Sequence, residues 1–119
     1  MIVDDAGFTR AMLKNIINST NFAEVVAEAK NGKEAIELYK KIKPDLVTMD
    51  LIMPQLGGLD AIKGILKIDK SASIIVVSAI GQQDLILEAT QLGAKDFIRK
   101  PFKKDQVEQI LTRHTMAKA

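Results

Sequence analysis

Asp45-Leu46-Val47-Thr48-Met49-Asp50-Leu51-Ile52-Met53-Pro54 opens on a strand-length run carrying the apolar side chains of Leu46, Val47 and Met49. Such a run suits a strand covered on both faces, as in a parallel sheet packed between helices. The run from Asp45 to Asp50 ends on a carboxylate set between Met49 and Leu51. A lone charge in apolar surroundings requires a partner. The segment therefore reads as a buried strand that delivers one acid to the edge of a sheet.

Outward from it, the same grammar repeats. Ile2 and Val3 lead into Asp4, Ala23 to Ala27 carries Val25 and Val26, Ala72 to Ser78 carries Ile74 to Val77, and Lys95 to Arg99 carries Phe97 and Ile98. Between these runs apolar residues recur at helical spacing: Phe8, Met12 and Ile16; Ala35, Tyr39 and Ile42; Leu59, Ile62 and Leu66; a weaker Ile86, Ala89 and Gly93; and finally Val107, Ile110 and Leu111 with His114. Each stripe predicts a helix with one buried face. Breakers stand at the joints: Asn31-Gly32, Lys43-Pro44, Gly57-Gly58 and Gly93. Five β/α units predict a five-stranded, parallel, doubly wound α/β sandwich with five helices, one domain over 1–119. The first strand has only three residues ahead of Asp4, where about five or six are usual. Either residues are missing upstream or the strand is short and completed by irregular chain; the sequence leaves both open.

Composition narrows the function. With 119 residues, 47% hydrophobic and 27% charged, the chain can bury one core. A net charge of +2 gives no argument for nucleic acid or a membrane surface. Cysteine is absent, which removes disulfides, thiolate zinc sites and thiol nucleophiles, and His114 is the sole histidine. Any metal must be held by oxygen. The first ten residues lack the basic-then-apolar order of a signal peptide, and no apolar run approaches the roughly 18 residues of a membrane span. A cytoplasmic protein is expected.

In open α/β sheets ligands bind outside the carboxyl ends of the strands. Four of the five predicted strands end in a polar residue: Asp4 and Asp5, Asp50, Ser78 and Lys100. Converging carboxylates repel one another unless a cation intervenes. Oxygen ligands alone suit Mg²⁺, which keeps several waters and recruits phosphate oxygens. Lys100 could then bridge a carboxylate and a phosphoryl oxygen, the Ser78 hydroxyl could donate to another such oxygen, and Asp50 is the candidate nucleophile.

At this point the chain resembles the receiver domains of two-component response regulators, most closely their single-domain chemotaxis branch, the CheY-like proteins. The resemblance rests on Val3-Asp4-Asp5, Asp45 to Asp50 with Leu51-Ile52-Met53-Pro54, Gly58, Ile75 to Ala79, Gly93-Ala94-Lys95-Asp96-Phe97 and Lys100-Pro101-Phe102, in that order along the whole chain. The strand order 2-1-3-4-5 is implied by it. It further implies that Asp50 accepts a phosphoryl group from a kinase phosphohistidine. Asp5 and Asp50 would ligate Mg²⁺ directly, Asp4 through water, and Ile52 through its backbone carbonyl, while Lys100 contacts the phosphoryl group. Ser78 would move toward the new phosphate and Phe97 rotate inward behind it, altering the face of the fourth helix, fifth strand and fifth helix. The Lys100-Pro101 peptide would be cis. The implied partners are a CheA-like histidine kinase and a flagellar motor switch protein, with the chain a monomer.

Each residue also has a plainer reading. Asp4-Asp5 could be a solvated turn or cap, Lys100 surface decoration, Ser78 a partner for a backbone group, and Phe97 a core residue of the last strand. His114 reads as a cation at a helix C-terminus without catalysis. Met12, Met49 and Met53 read as core filler, and Arg99, Lys103 and Lys104 as a solvated rim. Ile52 and Ile80, two residues beyond Asp50 and Ser78, are apolar and unable to orient a water. Slow self-dephosphorylation and an auxiliary phosphatase are therefore expected. Two alternatives keep the chemistry: a phosphorelay intermediate, or a receiver excerpted from a larger regulator. A haloacid-dehalogenase-type phosphatase fails because Asp4 and Asp5 are adjacent where that family needs Asp-x-Asp. A flavin module would want a Ser/Thr/Gly phosphate cradle after the first strand, where Asp4-Asp5 would repel phosphate without metal.

Overall fold

The computed structural model describes residues 1–115; the remainder of the expected 1–119 domain lies outside the described residues. The elements alternate along the chain: β1 (Ile2–Val3), α1 (Gly7–Asn18), β2 (Glu28–Ala29), α2 (Gly32–Ile42), β3 (Val47–Asp50), α3 (Gly58–Ile68), β4 (Ile74–Ser78), α4 (Gln83–Leu92), β5 (Asp96–Arg99) and α5 (Lys104–Thr115). All strand pairs are parallel, and the sheet runs β2-β1-β3-β4-β5. β1 is two residues long.

The apolar runs are explained by two cores, one on each face of the sheet. Side chains alternate across a strand. Ile74 and Val76 thus join Tyr39, Met49, Ile62 and Ile65 in the core under α2, α3 and α4, while Ile75 and Val77 join Leu13, Ile17, Ile98, Val107 and Leu111 under α1 and α5. All five residues of β4 are buried.

The helix ends follow local chemistry. Asn31 Oδ1 accepts the Glu34 N–H at 2.9 Å, and Glu34 Oε1 accepts the Lys30 N–H at 3.0 Å, so α2 starts on reciprocal side-chain caps. Lys43 ends α2 in the left-handed region (φ 48°), just before Pro44. At the start of α3, a Cβ on Gly58 would lie 2.3 Å from the Asp50 carbonyl oxygen and 2.6 Å from Leu51 Cα. Only glycine lets α3 sit this close to the end of β3. Tyr39 donates to Asp69 Oδ2 at 2.9 Å, joining α2 to the end of α3; burial and this acceptor push the phenol up to about 12.

Several expected positions are corrected. In α1 the buried face is Leu13 and Ile17, with Phe8 78% exposed and Met12 on the surface, so Met12 is not core filler. No strand forms over Ala23 to Ala27: Val26 is exposed, and the Val25 N–H donates to Asn18 Oδ1 at 3.1 Å. β2 begins at Glu28 because its one neighbour, β1, pairs in the register Ile2 to Glu28 and Val3 to Ala29. Ile42 is exposed at the end of its helix. Phe97 is 43% exposed on the edge strand β5 and is not a core residue. His114 does more than face a helix terminus: its Nε2 lies 2.9 Å from Asp96 Oδ2, beside Arg113 Nη1 at 2.8 Å, tying the end of α5 to the start of β5. Burial alone would push Asp96 up, yet hydrogen bonds from His114, the Phe97 N–H and Arg113 together hold it below the usual carboxylate value. Among the described residues no helix is long and apolar enough to cross a membrane.

Candidate functional site

The acids at the carboxyl ends of β1 and β3 and the Lys100 ammonium from the end of β5 sit within a few ångströms of one another, and Ser78 ends β4 beside them in the sheet. β1 runs into Asp4, 1% exposed, whose Oδ1 accepts the Ala6 N–H at 2.9 Å as the chain turns toward α1. Arg10 Nη1 from the first turns of α1 donates to the Asp4 carbonyl at 2.7 Å and so fixes that turn. Asp5 is exposed, and Asp50, the last residue of β3, is 6% exposed. One carboxylate oxygen of each of Asp4, Asp5 and Asp50 lies within 4.8 Å of the others.

Lys100 enters from the end of β5, its own N–H held by the Ser78 carbonyl at 2.7 Å. Its ammonium lies 3.1 Å from Asp4 Oδ2 and 3.5 Å from Asp50 Oδ1. The Lys100-Pro101 peptide is cis. One cation against three carboxylates leaves the cluster electrostatically unbalanced. Burial first, then the charge of Asp4 and, more weakly, Asp5, push the Asp50 carboxyl up from 3.8 to about 6, against the opposing pull of Lys100. An all-oxygen donor set with surplus negative charge fits a hard divalent cation.

Ser78 ends β4 and is fully buried, one residue beyond Val77, the register partner of Asp50. Its hydroxyl lies 3.4 Å from the Ala79 carbonyl, a long contact with a strand-end backbone group, but its short bond goes elsewhere. It donates to Gln82 Oε1 at 2.7 Å, an oxygen that also accepts the Ala79 N–H at 2.9 Å. Gln82 is the residue that sequence reasoning missed. It stands in the run Ser78-Ala79-Ile80-Gly81-Gln82-Gln83, and the available signal was an amide four residues beyond the serine, with a glycine between to turn the chain.

Ile52 and Ile80 stand out from the loops after β3 and β4, 59% and 75% exposed. The first of these loops is pinned by the Gly32 N–H to the Leu56 carbonyl at 2.9 Å, the Gly58 N–H to the Leu51 carbonyl at 3.0 Å, and Asn31 Nδ2 to Gln55 Oε1 at 3.1 Å. Phe97 lies on β5 opposite Val76, and its side chain is exposed at the surface. Arg99, Lys103 and Lys104 are exposed, as a rim requires.

The response regulator receiver domain model matches residues 1–112. The chemotaxis protein CheY of Thermotoga maritima is 56% identical over 113 residues, covering 95% of this chain and 93% of that one. CheY of Bacillus subtilis is 52% identical with the same coverage. Among solved structures, the CheX-CheY-BeF₃-Mg²⁺ complex from Borrelia burgdorferi contains a chain that superposes with a TM-score of 0.88 at 36% identity, over 94% of this chain and 84% of that one. A doubly wound sheet in the order 2-1-3-4-5, an acidic triad with a lysine at its carboxyl edge, and these likenesses converge: the chain belongs to the response regulator receiver family and is of the CheY type.

Proposed function

We propose that Asp50 is the phosphoacceptor of a Mg²⁺-dependent switch. The observation that carries the reading is the placement of Asp50 within 4.8 Å of Asp4 and Asp5, with the Lys100 ammonium 3.5 Å away. Asp5, Asp50 and the Ile52 carbonyl would hold the metal directly and Asp4 through water; when bound, Mg²⁺ neutralises the cluster and the charge that develops on the transferring oxygens. An Asp50 carboxylate oxygen forms a bond to phosphorus as the P–N bond of a kinase phosphohistidine breaks, and the imidazole leaves with its electron pair. Lys100 accompanies this transfer from the protein side: its ammonium can leave the carboxylates for a phosphoryl oxygen. The Ser78 hydroxyl engages a second oxygen, and Phe97, on the neighbouring strand, turns from the surface into the space that Ser78 vacates.

The output follows from the same reading. The partners are a CheA-like histidine kinase upstream and a flagellar motor switch protein downstream, which reads the α4, β5 and α5 face of a cytoplasmic monomer. Ile52 and Ile80 flank the acceptor without a group that can orient attacking water, so the phosphoryl group persists and an auxiliary phosphatase ends the signal. The Borrelia burgdorferi complex, in which a CheY chain is held with CheX, BeF₃ and Mg²⁺, supports a Mg²⁺-binding chain of this type that takes a protein partner.

The deciding experiment treats the protein with a small phosphodonor and Mg²⁺ and weighs it intact, beside Asp50→Asn. One phosphoryl group per chain is expected, lost with chelator and absent from the variant. An unmodified wild type, or equal modification of Asp50→Asn, overturns the reading.

A further inference from the structure

Gln82 closes a small ring at the end of β4. A main-chain N–H can only donate, so the atom 2.9 Å from the Ala79 nitrogen is the carboxamide oxygen, and the Ser78 hydroxyl, 2.7 Å away, donates to that same oxygen. Gly81 makes the ring possible: its φ of 91° turns the chain back on itself, a conformation that L side chains rarely adopt. The Gln82 main chain works in the other direction, its carbonyl accepting the Ile86 N–H at 3.0 Å in the first turn of α4. A single residue thus ties the end of β4 to the start of α4.

Ser78 and Ala79 directly follow Val77, the register partner of Asp50. The Ser78 hydroxyl and the Ala79 N–H are the donors that this strand end can offer to an oxygen carried on Asp50, and in the resting protein both are already engaged by one neutral acceptor. We propose that the Gln82 carboxamide is an internal latch: its oxygen stands in for a phosphoryl oxygen on Ser78 and Ala79, and a group arriving on Asp50 must displace it. The inference rests on the phosphoacceptor reading of Asp50. Displacement leaves neither protein donor unpaired, because a charged acceptor replaces a neutral one and the released carboxamide, half-buried at the surface, turns to water. Gln82 is a positioning residue. It sets how readily the switch is thrown, and its release frees the first turn of α4 from the strand end.

Gln82→Met keeps the length of the side chain and removes the acceptor; Gln82→Ala removes the side chain; Gln82→Glu keeps an acceptor oxygen. Beryllofluoride is titrated into each full-length protein with saturating Mg²⁺ and followed by ¹H–¹⁵N NMR, and Mg²⁺ is titrated alone in parallel. Gln82→Met and Gln82→Ala are expected to bind beryllofluoride at least about fivefold more tightly than wild type, fivefold being the size of one neutral hydrogen bond where two are lost. Their Mg²⁺ affinity should not change, their free Ala79 amide resonance should move to the position of an unbonded N–H, and Gln82→Glu should bind no more tightly than wild type. Beryllofluoride affinity in Gln82→Met and Gln82→Ala equal to or below wild type overturns the latch and leaves the acceptor reading standing. An equal gain in Mg²⁺ affinity overturns it as well, since the effect would then be on the whole site. A wild type that takes up no beryllofluoride overturns the acceptor reading and the latch with it.

Discussion

Asp50 sits where its charge is least welcome, which is why the protein can use it. Its folded value of about 6 stands above the 3.8 of an unfolded chain, so between roughly pH 4 and 6 the folded state holds more protons. The contribution of Asp50 to metal-free stability should be greatest below this window and fall as pH rises through it. Asp50→Asn removes the cost: in chelator at pH 7 the variant should be the more stable by about 1–3 kcal/mol, the ceiling being the gap between 3.8 and about 6 at about 1.4 kcal/mol per tenfold. Urea unfolding at pH 7 and again near pH 4 checks it, since the advantage should shrink toward the acid end. Ile52 and Ile80 carry a kinetic expectation of their own. Phosphoryl groups on purified protein should survive well beyond a few seconds; loss within that time would remove the argument for a separate phosphatase. The acceptor, its acidic neighbours and Lys100 were legible as residues because charge at the end of an apolar run has few structural explanations. Gln82 was not, because an amide's partner depends on a turn that no local pattern announces.

Among the elements, α3 bears most directly on the site. Gly58→Ala would push a Cβ into the Asp50 carbonyl and Leu51 Cα, backbone atoms that cannot rotate away. A loss of about 2–3 kcal/mol is expected, together with weaker phosphoryl uptake, since the displaced atoms belong to Asp50 and its loop. Stability and adduct yield measured on one preparation check the coupling; a variant with both unchanged would refute it. Asn31→Ala removes a cap on α2 and should cost about 1 kcal/mol in unfolding free energy. The five β/α units were legible because β4 and β3 are buried on both faces. The failures fall at exposed edges. In α1, Phe8-Met12-Ile16 and Leu13-Ile17 are neighbouring stripes on one cylinder, and the sheet, not the sequence, selects the second. β2 has one neighbour, so its extent follows β1 and not the apolar pair Val25-Val26. Phe97 has an aromatic's strand preference but lies on β5, whose outer side has no further strand.

The molecule as a whole is two cores fused by one sheet, with the acidic cluster at the sheet's edge. A ligand that binds only the folded state stabilises all of it. Mg²⁺ at about 100 times its dissociation constant should add about 2.7 kcal/mol and raise Tm by roughly 10 °C. Asp50→Asn should show less than half of that rise, by calorimetry with and without chelator. The pairing of Lys100 with Asp4 joins residues 96 apart in the chain. Synthesis at about 5–20 residues per second separates them by roughly 5–20 s. Through that interval Asp4 is on the ribosome or in its shadow without the ammonium that will face it, and the cluster exists only once the fifth strand has been laid down. A half-made chain therefore has no assembled acceptor to offer a kinase, and the ability to carry a signal arrives with completion of the sheet.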